Sequence, residues 1–274
     1  MDLAQVTSVR MPRSRAELAL APGERFLGGG TWMYSVPPDP GVTGLVDLTA
    51  MGWKPYTLRD DDTLRIAATC TWEQLITMPE ELAGDALPFF RWAARGLLAS
   101  AKVWRVATVG GNLALAFPAG LMNLVAMSYG GSCLVWRADG SKRRVPAQDF
   151  VTAVMTTVLG PGEVLRAIEL PRASLAHPVA YRTWAISPLG RTAGLASGRL
   201  RPDGRLRIVL AGATTRPYLF AFDGIPAASE LAARIDAVDT WFGDPHGSLE
   251  WRRMMTYRAA EEIRVELSGR EGRA

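Results

Sequence analysis

Leu27-Gly28-Gly29-Gly30-Thr31-Trp32 and Thr108-Val109-Gly110-Gly111-Asn112 are the two stretches on which the reading of this chain turns. Each sets consecutive glycines beside a hydroxyl or amide side chain. Glycine lacks a Cβ, so the main chain there can take positive φ and come within hydrogen-bonding distance of a ligand. Successive N–H groups facing outward then form a concave site for an anion such as a pyrophosphate. Two such turns predict a long, phosphate-containing cofactor gripped at two points, with a plain tight turn as the alternative for either one alone. Neither fits the commoner nucleotide signatures. Met33 stands where a Gly-x-Gly-x-x-Gly fingerprint starting at Gly28 needs its third glycine, and Gly140-Ser141-Lys142 lacks the residue order and upstream glycine of a P-loop.

At 274 residues the chain can bury a good core and divide into two domains. Its 48% hydrophobic and 21% charged content is ordinary for a globular protein, and no apolar run is long enough for a membrane span. The N-terminus has no charged-then-apolar signal pattern, which makes the cytoplasm the default location. The net charge of +4 comes from 28 Arg and 3 Lys, scattered without a basic stripe, so nucleic acid is not the expected partner. Cys70 and Cys133 stand in no Cys-x-x-Cys pair, which excludes an iron–sulfur or zinc site built from this chain alone. Both read as small buried hydrophobes. His177 and His246 are the only histidines, leaving few candidates for a His-based triad or metal site. His246 reads as a loop residue ahead of Ser248, the N-cap of a helix.

Ser14-Arg15-Ala16-Glu17 is a capping-box pattern for a short helix through Leu20. Strands are expected at Arg25–Leu27, Leu45–Leu48 and Leu64–Ala68, and Thr71-Trp72-Glu73-Gln74 caps a further helix. A longer helix is expected from Leu87 to Ala99, with Phe90, Ala93, Ala94 and Leu97 on one face and the second glycine turn directly after it. Asp139-Gly140 between Cys133–Trp136 and Arg143–Val145 signals a hairpin. Beyond Pro171 three strands (Val179–Ile186, Thr192–Leu200, Leu206–Gly212) are followed by helices near Ser229–Val238 and Ser248–Leu267. The last repeats apolar residues at Trp251, Met255, Ala259, Ile263 and Leu267.

Taken in order, these segments resemble the FAD-binding medium subunit of the molybdenum hydroxylases, the family of carbon monoxide dehydrogenase and xanthine dehydrogenase. Phe26 to Trp32 resembles that family's first flavin loop. Ala107 to Ala114 with Phe117-Pro118-Ala119-Gly120 resembles its second. Gly162-Glu163-Val164-Leu165 with Ile168 to Pro171 is similar to the strand closing the flavin domain, and Asp244 to Ser248 with Glu250 to Arg253 to the start of the last helix. The resemblance covers residues 3 to 267 and implies an α+β chain. It predicts a two-part FAD-binding domain of the vanillyl-alcohol-oxidase-like type over 1–172 (parts 1–54 and 55–172). A smaller C-terminal domain, a three-stranded antiparallel sheet with helices, follows over 177–274.

The same resemblance implies that Leu27, Gly28, Gly29, Gly30, Thr31, Trp32 and Met33 line one side of the FAD, with N–H groups of Gly28 to Trp32 on the pyrophosphate. Thr108, Val109, Gly110, Gly111 and Asn112 line the other, and Leu165 lies at the adenine or flavin edge. Arg182 is either a cation near the flavin or a solvated strand residue. Leu121 stands where relatives carry an acidic residue that accepts hydrogen bonds from the ribityl chain, so FAD is expected to bind less tightly, with Asn123 as a substitute acceptor. The implied function is an electron-transfer flavoprotein subunit. Electrons from [2Fe–2S] clusters on a small partner pass to FAD and then to an external acceptor, while a large molybdopterin subunit transforms the substrate. The expected assembly is a dimer of heterotrimers. A flavin-free scaffold subunit, which Leu121 favours, and a self-contained flavin oxidase are the alternatives.

Overall fold

The computed structural model describes residues 3–37, 39–188 and 190–271. Strands β1 (Ser8–Arg10), β2 (Glu24–Leu27) and β3 (Gly44–Asp47) form a parallel sheet in the order β1-β3-β2. Leu45 and Val46 of the central strand are fully buried, as a strand covered on both faces requires. The Arg10 guanidinium spans the outer strands, donating to both carboxylate oxygens of Glu24 at 2.7 and 2.6 Å. The turn at Ser14 is a single 3₁₀ turn, Arg15–Leu18, and stops short of Leu20. The Ser14 hydroxyl spends itself on the Glu17 carboxylate rather than on a helix N–H, and Pro22 disfavours helical backbone just beyond.

A second sheet is antiparallel throughout, ordered β4 (Tyr56–Leu58), β5 (Thr63–Ala67), β10 (Val164–Pro171), β6 (Ser132–Trp136), β7 (Lys142–Pro146). The short hairpin β8 (Val151–Ala153) and β9 (Thr156–Thr157) stands beside it. The β6–β7 turn is as expected, with Gly140 at φ +85° and the Asp139 carboxylate accepting from the Ser141 N–H at 2.8 Å. The helices of this part are α1 (Trp72–Ile76), α2 (Glu80–Ala83), α3 (Leu87–Gly96), α4 (Ala101–Trp104), α5 (Val109–Leu115), α6 (Leu121–Ser128), α7 (Ala147–Phe150) and α8 (Arg172–Leu175). Thr71 and Gln74 complete a reciprocal capping box on α1. Phe90, Ala93 and Ala94 of α3 are buried, and Leu97 packs against the same core. α6 is buried at every position, so it serves as the hub of this core. The central strand β10 also carries Glu169, a buried carboxylate that accepts from Arg65 and Arg144. Burial alone would raise its pKa. The two guanidinium hydrogen bonds outweigh that and hold it below the usual carboxylate range.

The C-terminal part contains four strands, not the three expected: β11 (Ala180–Trp184), β12 (Gly194–Leu200), β13 (Leu206–Ala211) and β14 (Tyr218–Phe222), all antiparallel. β14 is an edge strand of five residues directly after Pro217, with no polar alternation to separate it from a loop. Helices α9 (Ala228–Asp236) and α10 (Leu249–Glu271) cover one face. Ala259, Ile263 and Leu267 of the α10 ladder are buried there, with Trp251 and Met255 half-buried against them. The other face packs on α6, and strand alternation explains how. On β12, Leu195 and Ser197 turn toward the first core, the latter with its hydroxyl 2.6 Å from that of Ser128. Ala196 belongs to the α10 side, and a Cβ on Gly198 would lie 2.2 Å from Ile263. Arg199 continues the first series, donating from Nε to the Ser128 carbonyl at 2.9 Å.

The Arg10 hydrogen bonds set the pH response of the N-terminal sheet. They hold the Glu24 carboxyl down at about 2 against an ordinary 4.5. A lowered folded-state pKa contributes stability that is complete above the unfolded value and is lost as pH falls through the folded one. The urea-midpoint difference between wild type and Glu24→Gln is therefore expected to be full at neutral pH and to shrink as pH falls from 4.5 toward 2. A difference that stays constant across that window contradicts this role.

Candidate functional site

β2 runs out at Leu27 and the chain turns through Gly28 to Trp32 before a short 3₁₀ turn, Met33–Ser35. The turn closes on its own carbonyls: Tyr34 N–H donates to Gly30 at 3.0 Å, Ser35 N–H to Trp32 at 2.8 Å, and the Ser35 hydroxyl to Thr31 at 2.6 Å. Among the described residues no protein acceptor meets the N–H groups of Gly28, Gly29, Gly30, Thr31 or Trp32. Two of the glycines answer a packing demand. A Cβ on Gly29 would stand 1.8 Å from the Val106 carbonyl oxygen, and one on Gly28 2.8 Å from the Thr108 hydroxyl. Gly30 answers a conformational one, at φ +69°.

The second glycine stretch is not a turn. Thr108 is the N-cap of α5, and its hydroxyl accepts from the Gly111 N–H at 3.0 Å. Val109 N–H donates to the Cys70 carbonyl at 2.8 Å and Gly110 N–H to that of Ala68 at 2.9 Å. These amides are spent inside the protein, so of the two stretches expected to offer N–H groups to an anion only Gly28 to Trp32 keeps them without a protein acceptor among the described residues. Gly110 is glycine because α5 presses on Ala68, whose Cβ would lie 2.4 Å from a Cβ added there. The Asn112 side-chain oxygen likewise has a structural task, accepting from the Met122 N–H at 3.0 Å. A further difference is that α4 intervenes between α3 and this segment.

The two segments border one cleft of about 810 Å³, within the size range of small-molecule and cofactor sites. Leu27 to Met33, Thr108, Gly110, Gly111, Asn112 and Leu165 all line it; Val109 instead lies in the core. Arg182 is not brought to the cleft. Its guanidinium pairs with Glu262 at 3.0 Å and Glu266 at 2.9 Å on α10, which makes it a clasp between β11 and that helix. Leu121 and Asn123 are buried at the start of α6 and do not line the cleft either. The reading of Leu121 as a lost ribityl contact is therefore corrected: its side chain fills the space beside Gly96. His246 keeps its loop role, with its N–H on the Asp244 carboxylate at 2.7 Å, and Ser248 accepts from the Trp251 N–H at 3.3 Å. Burial pushes the Cys70 thiol up to about 12 and raises that of Cys133 further, so neither is a thiolate near neutral pH.

Further lining residues lay outside the sequence reading, Phe117, Glu163 and Met155 among them. Phe117 meets Trp32 edge to face, with centroids 4.5 Å apart. Glu163 is held at the rim by Arg143 at 2.7 Å and by the Gly160 N–H at 2.9 Å, with hydrogen bonding from Arg143 keeping its pKa low against burial. Met155, at φ +53°, donates its N–H to the carbonyl of Ala116, itself at φ +52°. Phe117 and Glu163 stood inside the motifs quoted above, so their place beside the glycine segments was the available signal. Met155 offered none.

Residues 11–173, more than half of the chain, match the family described as the FAD binding domain in molybdopterin dehydrogenase. The chain belongs to that family and carries its FAD-binding domain. It is 28% identical over 137 residues to the carbon monoxide dehydrogenase medium chain of Afipia carboxidovorans. That match spans 50% of this chain and 46% of the relative, about half the length of each. Over nearly its whole length the fold is that of carbon monoxide dehydrogenase from Hydrogenophaga pseudoflava, with a TM-score of 0.80 at 19% identity, covering 94% of this chain and 96% of that one. Quinoline 2-oxidoreductase from Pseudomonas putida 86 gives a TM-score of 0.74 at 23% identity, covering 94% and 97%. No helix among the described residues is long and apolar enough to cross a membrane.

Two substitutions test the geometry. Gly29→Ala forces the crossing with Val106 apart and is expected to destabilise the fold by about 1–3 kcal/mol, the scale of overpacking, whereas Gly224→Ala, with open space around it, leaves stability unchanged. Equal thermal melts for the two variants would contradict the crossing. Leu121→Asp places a carboxylate in the core, and a loss of roughly 3–5 kcal/mol is expected, the scale for an uncompensated buried charge. A variant as stable as wild type that binds flavin more tightly would instead restore the ribityl-contact reading.

Proposed function

We propose that this chain is the FAD-carrying electron-transfer subunit of a molybdenum-containing hydroxylase or dehydrogenase. The observation that carries the reading is the run of N–H groups from Gly28 to Trp32, without an acceptor among the described residues, at the wall of a cleft of cofactor size. An anion held there needs neither lysine nor metal, because hydrogen bonds from neutral amides to a charged acceptor contribute about 1.5–3 kcal/mol each. In this reading Gly28, Gly29, Gly30, Thr31 and Trp32 hold the diphosphate, Thr108, Gly110 and Gly111 close the cleft behind it, and Leu165 packs against a ring edge.

Bound FAD supplies the redox chemistry, accepting electrons and passing them on. The chain's own residues bind it, orient it and exclude water, and none is assigned as a general acid or base. Electrons are proposed to arrive from [2Fe–2S] clusters of a small partner subunit and to leave to an external acceptor. A large molybdopterin subunit chooses the substrate, and the assembly is a dimer of heterotrimers in the cytoplasm. Support comes from the family and from the shared fold of relatives named for different substrates, carbon monoxide and quinoline. Residues 1–172 and 177–274 are proposed as the flavin domain and the C-terminal domain.

Purified full-length protein titrated with FAD is expected to bind about one equivalent and to acquire the visible bands of an oxidised flavin. FMN, which lacks the diphosphate, binds far more weakly because it engages fewer of the turn's amides. Protein that stays colourless with excess FAD supports the flavin-free scaffold instead.

A further inference from the structure

We propose that the Trp32 indole is the surface against which the isoalloxazine ring of the flavin lies, so that one side chain both holds that ring and quenches its emission. The inference rests on the cofactor reading above. Trp32 ends the run of amides that meet no acceptor among the described residues, and it lines the same cleft. Phe117 buttresses it edge to face, at 4.5 Å and 78°, which fixes the orientation of the indole. Yet 38% of Trp32 remains exposed. An oriented indole on a cleft wall, with that much surface open, is an aromatic face awaiting a planar partner. Trp72 also borders the cleft but is fully buried, so its indole offers no such face.

The residues lining the cleft differ in chemistry, and that bears on which ring goes where. Arg25 lies on β2 upstream of the cradle, roughly 10 Å from Gly28 at the rise of an extended strand, and pairs with Asp39 at 2.9 Å. Gln5 and the Arg143-bound Glu163 line the cleft as well. Adenine, whose ring nitrogens and amino group need hydrogen-bonding partners, suits that polar side. The larger tricyclic ring, with its broad apolar face, suits Trp32 and Phe117. Phe117 follows α5, and Leu115 at the end of that helix also lines the cleft.

The expected signature is optical. In free FAD the adenine folds back on the isoalloxazine and quenches it. A dinucleotide stretched across a cleft with its diphosphate on the turn loses that contact, so a dark flavin in the complex must be quenched by the protein. An indole in van der Waals contact does this by lending an electron to the photoexcited ring and taking it back before emission, with no net chemistry.

The test is to load full-length wild type, Trp32→Phe and Trp32→Leu with FAD and to measure emission yield and Kd for each. Wild type is expected to be dark. Trp32→Phe keeps a ring against the flavin but is a far poorer electron donor, so emission rises several-fold while affinity is nearly retained. Trp32→Leu raises emission and weakens binding by roughly tenfold, the scale of one lost aromatic stacking contact. Bound FAD whose emission is the same in all three proteins overturns the inference while the cofactor reading stands. Wild-type protein that takes up no FAD overturns the cofactor reading and this inference with it.

Discussion

The site depends on one close approach: the main chain at Gly29 crosses the main chain at Val106 and Ala107 with no room for a Cβ, and Gly28 packs against the Thr108 side chain. Side chains at those positions would hold the segments apart. The crossing also decides how the backbone polar groups are spent. Residues 107 to 110 pair with the stretch from Ala68 to Trp72, through bonds such as Val109 to Cys70 and Trp72 to Ala107. That pairing satisfies the N–H groups of Val109 and Gly110, while those of Gly28 to Trp32 meet no acceptor among the described residues.

This division has an energetic logic. Buried N–H groups without partners are costly, so a segment sealed into the core must satisfy its amides internally, as Val109 to Asn112 do. Amides on the wall of an open cleft can be hydrated in the absence of ligand and lose little by waiting. One open turn against a largely hydrogen-bonded wall is therefore a sounder arrangement than two half-satisfied loops facing each other. The rigid wall supplies position and the open turn supplies the hydrogen bonds.

Much of this was legible in the sequence, and the misses have physical causes. The turn at Gly28–Trp32 could be read because three glycines before a threonine after a strand have few other uses. The capping box at Thr71, the Asp139-Gly140 hairpin and the α10 ladder depend on local chemistry, and each formed as read. Gly110-Gly111 misled because glycine serves close packing as well as positive φ, and sequence cannot tell the demand of Ala68 from that of a ligand. Arg182 failed for a similar reason: its carboxylate partners lie some eighty residues on, at Glu262 and Glu266, and no local pattern announces them. Leu121 shows the limit of reading by position, since a residue can stand at the place a motif assigns and still turn its side chain into the core.

The C-terminal sheet bears on the cleft through a path that the fold makes continuous. Phe117, at the cleft wall, is followed by Pro118, whose carbonyl accepts from the Gly212 N–H at 2.8 Å. Gly212 takes φ +80° against Gly194, and its own carbonyl accepts from the Arg252 guanidinium at 2.7 Å. Arg252 is buried and ion-paired with Asp244 at 2.5 Å, beside the N-cap of α10. A buried ion pair of this kind adds little net stability, but it tolerates few alternative arrangements. Its use here is to hold one carbonyl, and through it the segment that carries Phe117. The cleft wall is thus set from both sides, by the glycine crossing within the flavin-binding part and by an arginine anchored in the last helix, and this explains why β12 and β13 are buried on both faces: the sheet between them is the strut that joins the two.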